Sequence, residues 1–75
     1  MFKIKELRNS LDDRLYFEDL EKAKEYYMPN LNEFPECFEY AEEIQNAETL
    51  EELSNVLNKY TDVFDNGSRY YVREF

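Results

Sequence analysis

Seventy-five residues, 43% of them hydrophobic and thirteen of them aromatic, make a single domain over residues 1–75, too apolar to be disordered and near the smallest size that folds without staples. The formal net charge of −9 argues against direct nucleic-acid binding, which relies on Lys and Arg displacing counterions from phosphates. The lone Cys37 excludes an internal disulfide, and with no signal-like or long apolar run the expected setting is a reducing cytoplasm without membrane contact.

The chain opens with Phe2-Lys3-Ile4-Lys5-Glu6-Leu7, whose apolar/polar alternation suits a half-buried strand. Asn9, Ser10, Asp12 and Asp13 supply a turn-rich connection, and Leu15-Tyr16-Phe17 a return strand, so an opening hairpin is expected. Carboxylates in Glu18-Asp19-Leu20-Glu21 favour the positive end of a helix dipole, and Leu20, Ala23 and Tyr27 recur at helical spacing until Pro29. The first helix should therefore stop near Met28. Pro29 and Pro35 bracket a loop, because proline also turns its predecessor away from the α region. From Pro35, a natural first-turn residue, Cys37, Phe38, Ala41 and Ile44 form the apolar stripe of a second helix ending near Asn46.

Thr49-Leu50-Glu51-Glu52 fits a capping box, in which the Thr hydroxyl accepts from the N–H three residues on and Glu52 reaches back. Behind it, Leu50, Leu53, Leu57 and Tyr60 predict a third amphipathic helix. The tail has β-branched and aromatic runs on both sides of Asn66-Gly67, where the single glycine of the chain meets the positive φ of a type I′ turn, so a closing hairpin is expected. The fold class is therefore α+β, a small antiparallel sheet of two hairpins packed against three short helices around a core of Phe and Tyr.

Most enzyme chemistry is excluded. Without histidine the commonest general base and metal ligand are missing, Cys37 has nothing to activate it, and one glycine cannot build a phosphate loop. Aligning Gly67 with the invariant glycine of a calcium loop puts Asp62 and Asn66 on ligand positions. Phe64 then replaces an acid and Arg73 the bidentate Glu, so no metal is expected. Asn66-Gly67-Ser68 has the form of a glycosylation site but reads as the turn. No cofactor and no catalytic residue follow from this sequence.

What remains is the charge layout. Between Lys24 and Lys59 there is no cation, yet nine glutamates fall there: Glu25, Glu33, Glu36, Glu39, Glu42, Glu43, Glu48, Glu51 and Glu52. Elsewhere acids and bases balance, six against six before this window and three against three after it. On a helix from Pro35, Glu36, Glu39 and Glu43 form a row about 5–6 Å apart at Cβ, with Glu42 on its flank. That step is close to the phosphate separation of a nucleic-acid backbone, on the order of 6–7 Å. Acids in a first helical turn are stabilising, which accounts for Glu36, Glu48, Glu51 and Glu52. The pairs 36/39, 39/42 and 39/43 instead repel by roughly 0.2–0.5 kcal/mol each, with no cation interleaved. Adjacent aromatics, Tyr26 beside Tyr27 and Tyr40 near Phe38, cannot all face inward, and exposed tyrosine is a common interface anchor. The expected partner-binding surface is therefore the nine glutamates with Tyr26, Tyr27 and Tyr40.

A short chain with rows of unrelieved glutamate and exposed tyrosine, lacking His, Trp and any catalytic signature, resembles the small acidic inhibitors of bacteriophages and mobile elements. These are the anti-CRISPR and anti-restriction proteins, many of them DNA mimics. The resemblance covers residues 25–58 in composition and charge layout. It implies a basic nucleic-acid-binding protein as partner, a nuclease or defence complex, with the chain acting in the host cytoplasm as a monomer or homodimer. Such inhibitors share no one fold, so it transfers no residue roles. Two other readings fit the same residues: an immunity or antitoxin protein for a nuclease toxin, and a non-enzymatic adaptor that self-associates through its apolar helix faces.

Overall fold

A computed structural model describes residues 4–64 and 69–75. Its elements run β1 (Lys5–Asn9), β2 (Asp12–Phe17), α1 (Leu20–Tyr27), a 3₁₀ turn (Pro35–Cys37), α2 (Phe38–Asn46), α3 (Leu50–Phe64) and β3 (Tyr70–Glu74). The fold is α+β, with a three-stranded antiparallel sheet in the order β2-β1-β3. Helix α3 packs on β3 and β1, and α1 on β2, while α2 lies against α3 and α1.

The opening hairpin forms, tighter than its polar residues imply. Asn9 Oδ1 accepts from the Leu11 N–H at 2.8 Å and closes the turn at Ser10 and Leu11, so Asn9 and Asp12 pair as strand residues. Leu7 lies opposite Phe17 on β2 and Val72 on β3, which fixes the inner face of the sheet. On the other face Arg8 is flanked by Tyr16 and Tyr71. That face carries a largely buried ion pair, Arg8 Nη2 to Glu6 Oε1 at 3.0 Å, with the guanidinium 5.0 Å from the Tyr16 ring centroid.

The closing hairpin is a correction. Residues 62–64, expected as its first strand, continue α3 to Phe64, and β3 is a lone strand pairing with β1. A helix already nucleated gains one hydrogen bond for each residue added, whereas a three-residue strand on the edge of β3 would begin anew. The Asn66-Gly67 turn, Phe2 and Lys3 lie outside the described residues.

Local signals place the helices. Asp19 caps α1, its carboxylate accepting from the Glu21 N–H at 2.9 Å, and extended backbone at Met28 ends it before Pro29. At α3, Thr49 Oγ1 accepts from the Glu52 N–H at 3.1 Å, and Glu52 reaches back to the Glu48 N–H at 2.6 Å. The capping box is present, its return arm one residue further back than Thr49.

The core corrects another expectation. Among the described side chains its buried members are Leu7, Ala23, Ile44, Ala47, Leu50, Leu53 and Leu57, all aliphatic. Phe17, Tyr27, Tyr40 and Tyr70 are only partly buried at its edge. A core this small is filled more readily by aliphatic side chains, and each Tyr hydroxyl gains by reaching polar surroundings. No helix among the described residues is long and apolar enough to cross a membrane.

Candidate protein-binding surface

The nine glutamates do not behave alike. Glu43 leaves the row: its carboxylate accepts from Lys59 Nζ at 2.9 Å and from the Tyr60 hydroxyl, both on α3. These hydrogen bonds, the Tyr60 one foremost, hold its carboxyl below the usual range and push the Tyr60 phenol up. Glu51 accepts from Lys5 Nζ at 2.6 Å, tying the N-terminus of α3 to β1. That bond lowers the Glu51 carboxyl and raises the Lys5 ammonium. Glu52 serves its own helix terminus.

The other six, Glu25, Glu33, Glu36, Glu39, Glu42 and Glu48, are exposed, and among the described residues no cation forms a salt bridge with them. Five of them lie on α1, α2 and the segment joining these helices, and Glu48 precedes α3. Glu25 on α1 borders a groove with Met28 and Gln45; Glu42 borders the next, shared with Met28 and Gln45. Glu39, Glu42 and Glu43 line the groove between α2 and α3, beside Lys59 and Tyr60. The arginines, by contrast, belong to the sheet layer: Arg8 on β1, Arg14 on β2, Arg73 on β3 and Arg69 just before it. The strands also carry the acids Glu6, Asp12, Asp13 and Glu74, and on the helix side the unlike charges are Lys22 and Lys24 of α1 and Lys59 of α3, the last beside Glu39 and Glu42. Lys24 is engaged, donating to the Gln45 carbonyl at 2.8 Å.

Compared with family models, curated proteins and solved structures, the chain matches none. Its surface chemistry is what bears on function. Among the described residues no group of three or more acidic, Cys or His side chains is arranged to hold a metal ion.

The three tyrosines divide. Tyr27 is wedged between Phe17 and Tyr70, with ring centroids at 5.7 and 5.4 Å, and Tyr40 stacks at 4.7 Å on Tyr60. Both are half-buried, and burial pushes the Tyr40 phenol well above its ordinary range. Tyr26 is 59% exposed, one side of its ring resting on Phe17 and Tyr27.

A further exposed apolar surface, which the charge layout does not point to, lies on Met28, Leu31, Phe34 and Phe38. Phe38 was expected in the buried stripe of α2 and is 60% exposed. Within α2 each residue turns about 100°, which gathers Tyr40, Ala41 and Ile44 on the inward face and leaves Phe38 roughly 110° from its centre. The signal available in the sequence was the spacing itself, since Tyr40 stands four residues before Ile44 and Phe38 six.

Proposed function

We propose that this chain is a non-enzymatic binding protein. It lays the carboxylate-bearing layer of its helices on the basic, nucleic-acid-binding surface of another protein and so excludes the nucleic acid, as an inhibitor of a nuclease or defence complex in a host cytoplasm would. The observation that supports this reading most is that six exposed glutamates on the helices and their connections form no salt bridge among the described residues. Intramolecular cations were within the chain's means, since Lys59 and Lys5 neutralise Glu43 and Glu51. Leaving the rest outside salt bridges, with Glu39 attracted by nearby Lys59, costs stability through like-charge contacts and adds to a negative field that speeds encounter with a cationic surface.

The test is capture from lysate with the immobilised chain at about 50 and 300 mM salt, a range over which the screening length shrinks markedly. Captured proteins are identified and then challenged with duplex DNA and with RNA. The expected result is a basic nucleic-acid-binding protein that is released by salt and that exchanges the chain for its nucleic acid. A captured protein held equally at both salt concentrations, with its nucleic-acid binding undisturbed, would overturn the proposal.

A further inference from the structure

Carboxylates steer, but exposed charges in water contribute little affinity of their own, and a specific complex needs an apolar anchor. The segment joining α1 to α2 carries one. Met28, Leu31 and Phe38, with Ala41, Glu42 and Gln45, line an open concavity of about 340 Å³. A second, of about 460 Å³, lies on the same segment and is lined by Pro29, Asn30, Phe34, Glu36 and Cys37. Four large apolar side chains exposed on eleven consecutive residues form a patch, which isolated surface leucines do not.

The patch is preformed. Asn30 O accepts from both Glu33 N–H at 3.1 Å and Phe34 N–H at 2.8 Å, Asn30 Oδ1 accepts from Asn32 N–H at 3.0 Å, and Phe34 O accepts from Cys37 N–H at 3.0 Å. These bonds run the loop straight into the 3₁₀ turn, so little ordering entropy remains to be lost on binding. Glu42 lines the first concavity and Glu36 the second, while Glu25 and Lys24 border the adjoining groove that shares Met28 and Gln45; the three glutamates are exposed and outside any salt bridge among the described residues.

The rim selects the occupant. A second copy would bring the same carboxylates face to face, and a phosphate-bearing ligand or membrane would meet the same repulsion. We infer that the Met28/Leu31/Phe38 concavity takes a large apolar side chain, presented by a partner protein segment whose flanking residues are Lys or Arg. This rests on the proposed docking function and names its anchor: the glutamates set the rate of arrival, the concavity the rate of departure.

The probe is a lysine-rich peptide with a central Leu-Phe pair, compared with its Ala-Ala counterpart of equal charge. Each is titrated into the isotope-labelled full chain and followed through its amide resonances at moderate salt. The Leu-Phe peptide should bind roughly tenfold tighter and move the signals of Leu31, Phe38, Ala41 and Gln45. Phe38→Ala should abolish the preference, while Leu11→Ala, an equally exposed apolar residue at the hairpin tip, should leave it intact. Phe38 is largely solvent-exposed, so an unchanged circular dichroism spectrum is expected for its variant. Equal affinity for the two peptides would overturn the anchor and leave the charge-driven reading standing. Binding of neither would overturn both for cationic partners. Equal binding of a Leu-Phe peptide rich in glutamate would overturn the assigned partner chemistry.

Discussion

The side-chain amide of Asn58 takes both backbone groups of Tyr70, its Nδ2 donating to the Tyr70 carbonyl at 2.8 Å and its Oδ1 accepting from the Tyr70 N–H at 2.7 Å. A residue in the middle of α3 thus does at the start of β3 what a neighbouring strand would do. It holds the last strand to the helix layer, with only one orientation of the amide satisfying both bonds. Truncating Asn58 leaves two part-buried backbone groups without their partner, at a cost of about 2 kcal/mol. Chemical denaturation of Asn58→Ala should show this loss, and hydrogen exchange should show it concentrated in β3. An unchanged midpoint would mean that water replaces the amide without penalty.

Glu43 links acid stability to the α2–α3 contact. Its carboxyl is held low first by the Tyr60 hydroxyl and then by Lys59. The folded value lies below the unfolded one, so the stabilisation is present above the unfolded pKa of about 4.5 and is lost as pH falls through the lower folded value. Glu43→Gln should therefore be less stable than the parent at neutral pH and converge with it as pH falls below the unfolded value. Thermal melts at a series of pH values check this. A constant gap across the series would show that the carboxylate's charge has no part in the contact.

The elements that the chain declares locally are the ones that the structure keeps. Asp19, Pro29, Thr49 and Glu52 mark helix ends through bonds to their own backbone neighbours, so they are readable without the fold. The end of α3 is different: residues 62–64 have β-branched and aromatic composition, and what decides them is a helix already propagating from Leu50. The candidate surface divides in the same way. Exposure of Glu36, Glu39 and Glu42 follows from helical spacing, but the capture of Glu43 by Lys59 and of Glu51 by Lys5 depends on tertiary neighbours 16 and 46 residues away. Spacing does foretell that Tyr27, four residues after Ala23, and Tyr40, four before Ile44, turn inward, and it leaves Phe38, six before Ile44, off that face.

Tyr40 should govern the alkaline limb. Burial, before the nearby Tyr70, Cys37 and Tyr60 groups, favours its neutral phenol and raises its folded pKa above the ordinary value. Its stabilising contribution is then complete below about pH 10 and drains away as pH rises through the folded value. Tyr40→Phe keeps the ring packed against Tyr60 and removes the ionisation. Stability measured from about pH 8 to 11 should fall less steeply in the variant than in the parent. Parallel curves would assign the alkaline transition to other groups.

Glu39 and Glu42 set stability against encounter. Within α2 and the turn before it, Glu39 faces Glu36, Glu42 and Glu43 at three- and four-residue spacing, each like pair costing roughly 0.2–0.5 kcal/mol. Lys59, bound to Glu43, returns part of this through its attraction to Glu39. Replacing Glu39 and Glu42 together by Gln removes the repulsion while keeping shape and helix propensity, so the double variant should gain about 0.5 kcal/mol. The same change lowers the field over the helix layer. Association with a cationic partner should slow several-fold at low salt while dissociation hardly changes, because exposed charges act on arrival. Stopped-flow or surface-based kinetics with the lysine-rich Leu-Phe peptide, beside a denaturation curve, measure both quantities. A variant that is more stable yet associates as fast as the parent would show that these carboxylates are ordinary solvated surface, and the docking function would lose its main support.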